Sequence, residues 1–187
     1  PWDQKINKAV WRGNATNCGI TEDTNQRIWI HQQNKNMTDY IDAGVIGWNA
    51  RDKFNDSNKT IEIIDVSNFD PVKNRLSYEQ QLKYKYHLNI DGHVPAFRLG
   101  QLLAFNIVIL QVDSPKKWKL WYQHKLVPHD IYNVNNINNK KSHFIPIKKD
   151  FSNLKETIIW CRNNDNICQK ISKRATIFFK NNLQKEN

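Results

Sequence analysis

The sequence has few of the residues that mark metal sites and disulfide frameworks. Its 187 residues include three cysteines, six glycines, six prolines and one methionine. Cys18, Cys161 and Cys168 are odd in number and lack C-x-x-C spacing, so they indicate neither a zinc site nor a disulfide framework. Cys161 and Cys168 fall on helical patterns, where we predict that they act as small buried side chains.

Long apolar runs are also missing. The run at residues 107–110, even with its flanks, is far shorter than the roughly 20 residues that cross a bilayer, so no membrane span is predicted. Pro1 opens the chain, and no charged segment with an apolar stretch follows it, so no targeting signal is recognised. We expect residues 1–187 to form a single lobe of a longer protein, since this length suffices for one core but not for two nucleotide-binding lobes.

Acidic residues are outnumbered by basic ones. Lys and Arg total 28, Asp and Glu total 18, and the formal net charge is +10. The charge favours an anionic partner. It does not choose among nucleic acid, an anionic membrane surface and a phosphorylated small ligand. A nucleic-acid-binding module needs a clustered basic face, whereas these lysines are dispersed and no aromatic-glycine signature of an RNA-binding sheet is present. We therefore expect no nucleic-acid partner.

Strand and helix patterns alternate along the chain. Short apolar or alternating runs predict strands at residues 9–13, 40–48, 61–66, 85–91, 107–112 and 144–147. Periodicity and cap residues predict helices from Asn25, from Ser77, at 97–105, at 119–126, from Ser152, and along a stripe of Ile167, Ile171, Ala175 and Phe178. An Asn-rich insertion at 133–141 is the one low-complexity segment.

The stretch between residues 85 and 112 is the most informative. A strand, a tight turn containing Gly92 and Pro95, a helix and a continuous apolar strand follow one another there. This order is typical of a parallel βαβ unit, in which ligands bind at the carboxyl ends of the strands. We therefore predict an α/β fold with a Rossmann-like parallel sheet flanked by helices, and a ligand site beside this turn.

Three arginines are candidates for binding a phosphorylated ligand. Arg12, Arg27 and Arg98 each fall at a predicted strand-to-loop or loop-to-helix junction. The planar guanidinium can donate two parallel hydrogen bonds to paired oxygens, and it stays charged at any working pH. A single arginine of this kind is more often part of a surface ion pair, so the three are informative mainly through the order in which they occur.

Several short boxes occur in an order that resembles one known family. The boxes are Trp11–Asn14 followed by Arg27, Asp42–Gly44, residues 83–86 leading through Asp91-Gly92 to Phe97-Arg98-Leu99, Trp121-Tyr122 with Leu126 and Pro128, residues 143–146, and residues 150–154. Together they resemble the C-terminal lobe of the protein O-glucosyltransferase and capsule-associated protein family, glycosyltransferase family ninety. The resemblance covers nearly the whole chain.

The resemblance implies a fold and a set of donor-binding residues. The fold would be the donor-binding C-terminal lobe of a two-lobed GT-B enzyme. The positions that match the family's nucleotide-sugar contacts are Arg12, Asn14, Arg27, His93, Val94, Pro95, Ala96, Phe97 and Arg98, with His143 as a further candidate. Ala96 and Asn14 stand where the family often has hydroxyl residues. With Ala96, one hydrogen bond to phosphate would be missing, and either difference could indicate a different donor sugar or weaker binding.

The same resemblance implies a reaction. A UDP-sugar, carrying glucose or xylose, would be the donor substrate for inverting transfer to a hydroxyl on a protein or glycan, with no cofactor and no metal. The catalytic base would belong to an N-terminal lobe, so no catalytic residue is assigned in this chain. The localisation stays open: the resemblance implies the secretory pathway, whereas a viral or microbial member could be cytoplasmic. A non-catalytic scaffold that keeps the lobe is the main alternative.

Overall fold

Apolar strands that alternate with helices fold into a five-stranded parallel sheet with helices on its faces. The computed structural model describes residues 1–55 and 58–184. Numbered in chain order, the strands are β1 (Ile6–Asn14), β2 (Ile41–Gly47), β3 (Lys53–Asn55), β4 (Thr60–Glu62), β5 (Tyr84–Asn89), β6 (Val108–Val112) and β7 (Ile145–Ile147). The main sheet has the order β2-β1-β5-β6-β7, while β3 and β4 form a separate antiparallel hairpin. The predicted Rossmann-like α/β fold is confirmed.

The α-helices largely begin where the cap residues predict. They are α1 (Gln26–Gln33), α2 (Tyr78–Gln81), α3 (Arg98–Ala104), α4 (Leu154–Asn163) and α5 (Asp165–Asn182). Asn25 caps α1 by accepting a hydrogen bond from the Arg27 amide at 3.0 Å. Ser77 and Gln80 form a reciprocal capping box on α2. No helix among the described residues has the length and apolarity needed to cross a bilayer.

Two predicted elements are much shorter in the structure. The strand expected at 61–66 is reduced to β4, because Ile61 and Ile63 are largely exposed and only Ile64 is buried. The helix expected at 119–126 is a single 3-10 turn, Gln123–Lys125. In that segment Trp121 is 70% exposed while Tyr122 is buried, so the apolar pattern there does not produce one buried helical face.

Two details of the last helices also differ from the predictions. Ser152 does not cap α4, since its amide donates to the Asp150 carboxylate and Asn153 occupies the N-cap position. Ile167 is partly exposed, whereas Ile171, Ala175 and Phe178 are buried as predicted. The buried stripe of α5 therefore begins at Cys168, one residue after the position that its sequence suggests.

The core lies on both faces of the sheet. Along β6 the buried side chains alternate, with Val108 and Leu110 in one hydrophobic cluster and Ile109 in the other. Cys161 and Cys168 are fully buried in the first cluster, as expected for small apolar side chains. The second cluster joins α3 and α5, which pack against each other on the same side.

The strand order places a crevice at one particular point of the sheet edge. The chain leaves β1 through α1 to β2 on one side, whereas β5, β6 and β7 build the sheet outward on the other. The connections after β1 and β5 therefore diverge, and their carboxyl ends border an opening. Such a topological switch point is where open α/β sheets bind their ligands.

Candidate functional site

A cleft of about 310 Å³ occupies the switch point between the carboxyl ends of β1 and β5. We call it the arginine cleft. Its lining residues are Trp11, Thr16, Arg27, Asn89, Ile90 and residues 92–98. The structure thus brings together Arg27 and the whole predicted segment from His93 to Arg98, although they are more than 60 residues apart in the chain.

Arg27 joins the ends of the two strands. Its Nε donates to the Asp91 carbonyl at 3.0 Å and its Nη2 to the Ile90 carbonyl at 2.8 Å, both just beyond β5. Its Nη1 donates to the carbonyl of Asn14, the last residue of β1, at 3.0 Å and to Thr16 Oγ1, just beyond β1, at 2.6 Å. Four of its five N–H groups therefore donate to protein oxygens. The fifth, on Nη2, has no hydrogen-bond acceptor among the described residues.

Gly92 is required by the position of Arg27. A Cβ at residue 92 would lie 2.6 Å from Thr16 Oγ1 and 3.2 Å from Arg27 Nη2. Any side chain there would push the guanidinium or the threonine away. The short turn between β5 and α3 therefore carries glycine because another part of the site fills the space.

Arg98 is the freer of the two cleft arginines. It is half-buried, and its Nη1 donates to the Arg12 carbonyl at 2.7 Å. Burial and the like charge of Arg98 lower the pKa of Arg27 to about 10, against an opposing effect of Asp91. Among the described residues no carboxylate forms an ion pair with Arg27 or Arg98. Two partly desolvated cations that form no ion pair within the described part of the chain make this cleft a site for an anion.

The turn at residues 92–97 exposes apolar surface beside these cations. Val94 is about half exposed, and Phe97 is 74% exposed at the rim. The Ala96 amide donates to Asp91 Oδ1 at 2.8 Å, so the aspartate shapes the turn. With the exposed Phe97 ring, the rim offers a flat apolar surface as well as positive charge.

His93 faces a second group of positive charges. Burial and the charges of Arg51, Lys53 and Arg27 lower its pKa, so the ring is neutral at physiological pH. Its Nε2 is buried and has no hydrogen-bond partner among the described residues. A neutral imidazole in this position can donate or accept one hydrogen bond with a bound ligand.

Arg12 lies elsewhere than expected. It is inside β1 and not at its junction with the loop, and its Nη2 pairs with Asp42 Oδ1 at 2.8 Å. Its other N–H groups donate to the carbonyls of Trp11, Asp42 and Asn74. Only the Arg12 carbonyl reaches the cleft, through Arg98. The expected junction position is therefore wrong for this residue, and its guanidinium is occupied by the protein.

Asn14 and His143 are also placed by the structure. Asn14 is exposed at the end of β1, where its carbonyl accepts from Arg27. His143 does not line the cleft. Its Nδ1 accepts from the Val127 amide at 3.0 Å, and its ring packs edge-on against Phe178. Its geometry is that of a hydrogen-bonded structural histidine, so the structure does not bring His143 to the other candidates.

Two residues at this edge were not predicted from the sequence. Thr16 accepts the shortest hydrogen bond of Arg27, and Lys53 is buried with its Nζ against the loop that follows β1. Thr16 could have been suspected from its place in the loop that follows the strand predicted at 9–13. Lys53 belongs to the β3–β4 hairpin, and no sequence signal relates that hairpin to β1.

The fold and the cleft together define an α/β lobe with a preformed cationic site at its switch point. The sequence model of glycosyl transferase family 90 matches residues 1–187. The chain therefore belongs to glycosyl transferase family 90, and the resemblance inferred from the order of its sequence boxes is confirmed.

Individual relatives are viral and animal proteins. Uncharacterized protein 179R of Invertebrate iridescent virus 6 is 36% identical over 203 residues, which cover 100% of this chain and 16% of that protein. Protein O-glucosyltransferase 2 of Danio rerio is 28% identical over 185 residues, covering 97% of the chain and 30% of that protein. Protein O-glucosyltransferase 3 of Homo sapiens is 26% identical over 183 residues, covering 98% of the chain and 30% of that protein. The chain thus spans less than a third of each of these relatives.

Proposed function

We propose that this chain is the donor-binding lobe of a glycosyltransferase and holds a UDP-sugar in the arginine cleft. The observation that carries the proposal is the pair Arg27 and Arg98, two cations without an ion-pair partner among the described residues, at the switch point of a parallel sheet. Family membership supports glycosyl transfer as the reaction class. Relatives whose printed names are protein O-glucosyltransferases favour glucose as the sugar, with xylose as the alternative.

The two arginines have different parts in this proposal. Arg27 holds the strand ends together and supplies a fixed, partly buried charge. Arg98 has guanidinium N–H groups beyond its one bond to Arg12, so it is the residue to contact the diphosphate. Negative charge grows on the diphosphate as the sugar is transferred, and a pre-positioned guanidinium stabilises that charge more in the transition state than in the bound donor.

The rest of the reaction lies with groups outside this chain. We propose inverting transfer to a hydroxyl on a protein or glycan, with a carboxylate base from an N-terminal lobe. No residue of the arginine cleft is assigned that role, since Asp91 is bonded to the Ala96 amide and shapes the turn. The donor site is proposed to act without metal, because guanidinium groups take the charge that a cation would otherwise neutralise.

Calorimetric titration of the chain with UDP, UDP-glucose and ADP, in the presence of EDTA, tests the proposal. We expect the uridine nucleotides to bind with chelator present, and Arg98→Ala to weaken them by about ten- to a hundredfold, since one charged hydrogen bond contributes about 1.5 to 3 kcal/mol. Arg75→Ala, which removes an exposed arginine outside the cleft, is the matched control. Equal affinity in both variants would contradict the assignment, and a folded chain that binds no nucleotide would favour the scaffold alternative.

A further inference from the structure

Lys53 joins the two ends of a loop at the edge of the sheet. It lies in β3, outside the main sheet, and is only 5% exposed. Its Nζ donates to the carbonyl of Ala15 at 3.1 Å and to that of Gly19 at 3.2 Å. These carbonyls are the first and last of residues 15–19, so one ammonium group closes the first part of the connection between β1 and α1. We call residues 15–19 the loop.

The loop depends on such contacts for its shape. Asn17 has a φ of 117°, a backbone conformation that residues other than glycine rarely adopt. Gly19 packs so closely that a Cβ would lie 2.2 Å from the Thr24 carbonyl oxygen. Asn25 Nδ2 also donates to the Gly19 carbonyl at 2.9 Å. The conformation is therefore held by polar side chains that converge on a few carbonyl oxygens.

The same loop forms one wall of the arginine cleft. Thr16, directly after Ala15, lines the cleft and accepts from Arg27 Nη1 at 2.6 Å. Arg27 Nη1 also binds the Asn14 carbonyl immediately before the loop. A displacement of the loop would consequently displace the guanidinium that joins β1 to β5.

Resting on the proposed function, we propose that Lys53 is a positioning residue for the donor diphosphate. Its ammonium group holds residues 15–19 in the conformation in which Thr16 and Arg27 complete the arginine cleft. Lys53 acts through these two residues, whereas Arg98 contacts the phosphates directly.

The charge of Lys53 makes this role dependent on pH. Burial and the nearby Arg51 lower its pKa to about 8, while Cys18 on the loop opposes the shift. Of the other groups near it, His93 has a lowered pKa and stays neutral above about pH 7, while Arg27, whose pKa is about 10, keeps its charge through most of this range. The ammonium is therefore lost as the pH rises through about 8, and its hold on the two carbonyls weakens.

The first experiment measures the loop without any nucleotide. Hydrogen exchange followed by mass spectrometry is compared for the wild type, Lys53→Met and Lys141→Met, which removes an exposed lysine of the Asn-rich insertion. We expect amides of residues 15–19 to exchange about tenfold faster in Lys53→Met, with the main sheet unchanged and the control like the wild type. Unchanged exchange in this loop would overturn the proposed closure.

The second experiment measures donor binding in a Cys18→Ser background, which removes the thiol whose charge influences Lys53. UDP-glucose is titrated at about pH 7 and about pH 9. We expect affinity to fall by up to about tenfold at the higher pH when Lys53 is present. Lys53→Met should bind about tenfold more weakly at the lower pH and show a flat profile, and Lys53→Arg should regain affinity at both.

The two experiments separate the possible failures. Faster loop exchange in Lys53→Met with unchanged UDP-glucose affinity would overturn the positioning role. A wild-type chain that binds no UDP-glucose at either pH would overturn the proposed function, while the exchange measurement would still decide whether Lys53 holds the loop. A pH-dependent affinity that persists unchanged in Lys53→Met would assign the titration to another group and contradict the inference.

Discussion

Two neighbouring regions of this lobe use arginine in opposite ways. In the Arg12–Asp42 cluster, formed by Arg12, Asp42, Lys73 and Tyr84, the Asp42 carboxylate accepts from the other three side chains. In the arginine cleft, Arg27 and Arg98 have no ion-pair partner among the described residues. The two regions meet where Arg98 donates to the Arg12 carbonyl at 2.7 Å.

The difference separates a stabilising arginine from one that is available to a ligand. The Arg12 guanidinium is neutralised and its hydrogen bonds are used, so an anion gains little by approaching it. The cleft arginines keep their charge in a partly desolvated site, where an anion relieves an unfavourable arrangement. The sequence does not distinguish Arg12 from Arg27 and Arg98 by residue type or by position along the chain. The structure does, because the Asp42 carboxylate lies beside Arg12.

The largest effect on stability is expected from removing the positive charge of Arg12 while the negative charge of Asp42 remains. Arg12→Met leaves the partly buried Asp42 carboxylate without its main partner, so we expect the free energy of unfolding to fall by about 2 to 4 kcal/mol. Affinity for UDP should change by less than about threefold, because only the Arg12 main chain contacts the cleft. Urea unfolding and calorimetry on the same preparation measure the two quantities.

A double variant controls for the loss of the arginine itself. Arg12→Met combined with Asp42→Asn removes both charges, and we expect it to regain part of the lost stability. A tenfold loss of UDP affinity in a folded Arg12→Met variant, with little change in stability, would show that Arg12 belongs to the donor site after all.

An intermediate effect is expected where the cleft is most crowded. Gly92→Ala places a methyl group 2.6 Å from Thr16 Oγ1, which must displace the threonine or Arg27. We expect UDP binding to weaken by about threefold to tenfold, with most of the stability retained. Thr16→Ala removes the nearest clash but also a hydrogen bond to Arg27, so the effect of Gly92→Ala is measured again in the Thr16→Ala background. A loss of affinity on Gly92→Ala that is as large in that background as in the wild type would argue against the crowding explanation.

The smallest effect is expected in the pH dependence of stability, through the Asp42 carboxylate of the Arg12–Asp42 cluster. Burial disfavours the Asp42 carboxylate, but hydrogen bonds from Tyr84 and Arg12 and the charges of Arg12 and Lys73 outweigh it and lower its pKa. A lowered pKa in the folded state gives stability that is present above the pKa of the unfolded chain and lost as the pH falls through the folded value.

The stability difference between wild type and Asp42→Asn should accordingly shrink as the solution is acidified below about pH 4. It should remain smaller than the effect of Arg12→Met throughout. Urea unfolding across an acid pH series measures this stability difference. A difference that stays constant down to the lowest pH would show that the charge of the Asp42 carboxylate is not its source.

The part of the site that could be predicted from sequence is the part built by contiguous residues. The order of strand, glycine turn, helix and apolar strand placed His93 to Arg98 at a strand end, where the structure has them. The helices predicted from Asn25 and Ser77 do begin there, because a helix start depends on a few adjacent residues, whereas the cap predicted at Ser152 is wrong. The parallel sheet followed from the alternation of strand and helix patterns.

The remaining features depend on contacts between distant segments. Arg12 and Arg27 are equivalent as sequence signals, and only the pairing of β1 with β2 puts Asp42 beside Arg12. Lys53 reaches the cleft wall from a hairpin outside the main sheet. The predicted helix at 119–126 failed because its apolar residues are divided between the buried core and an exposed surface.

The central claim is that the diphosphate of a uridine nucleotide lies in the arginine cleft. The most direct measurement is a crystal structure of the chain grown with UDP and EDTA. We expect phosphate oxygens within hydrogen-bond distance of the Arg98 guanidinium, with the nucleoside against the turn at residues 92–97. A nucleotide bound at another edge of the sheet, or phosphates held only by exposed lysines while Arg98 stays free, would contradict it.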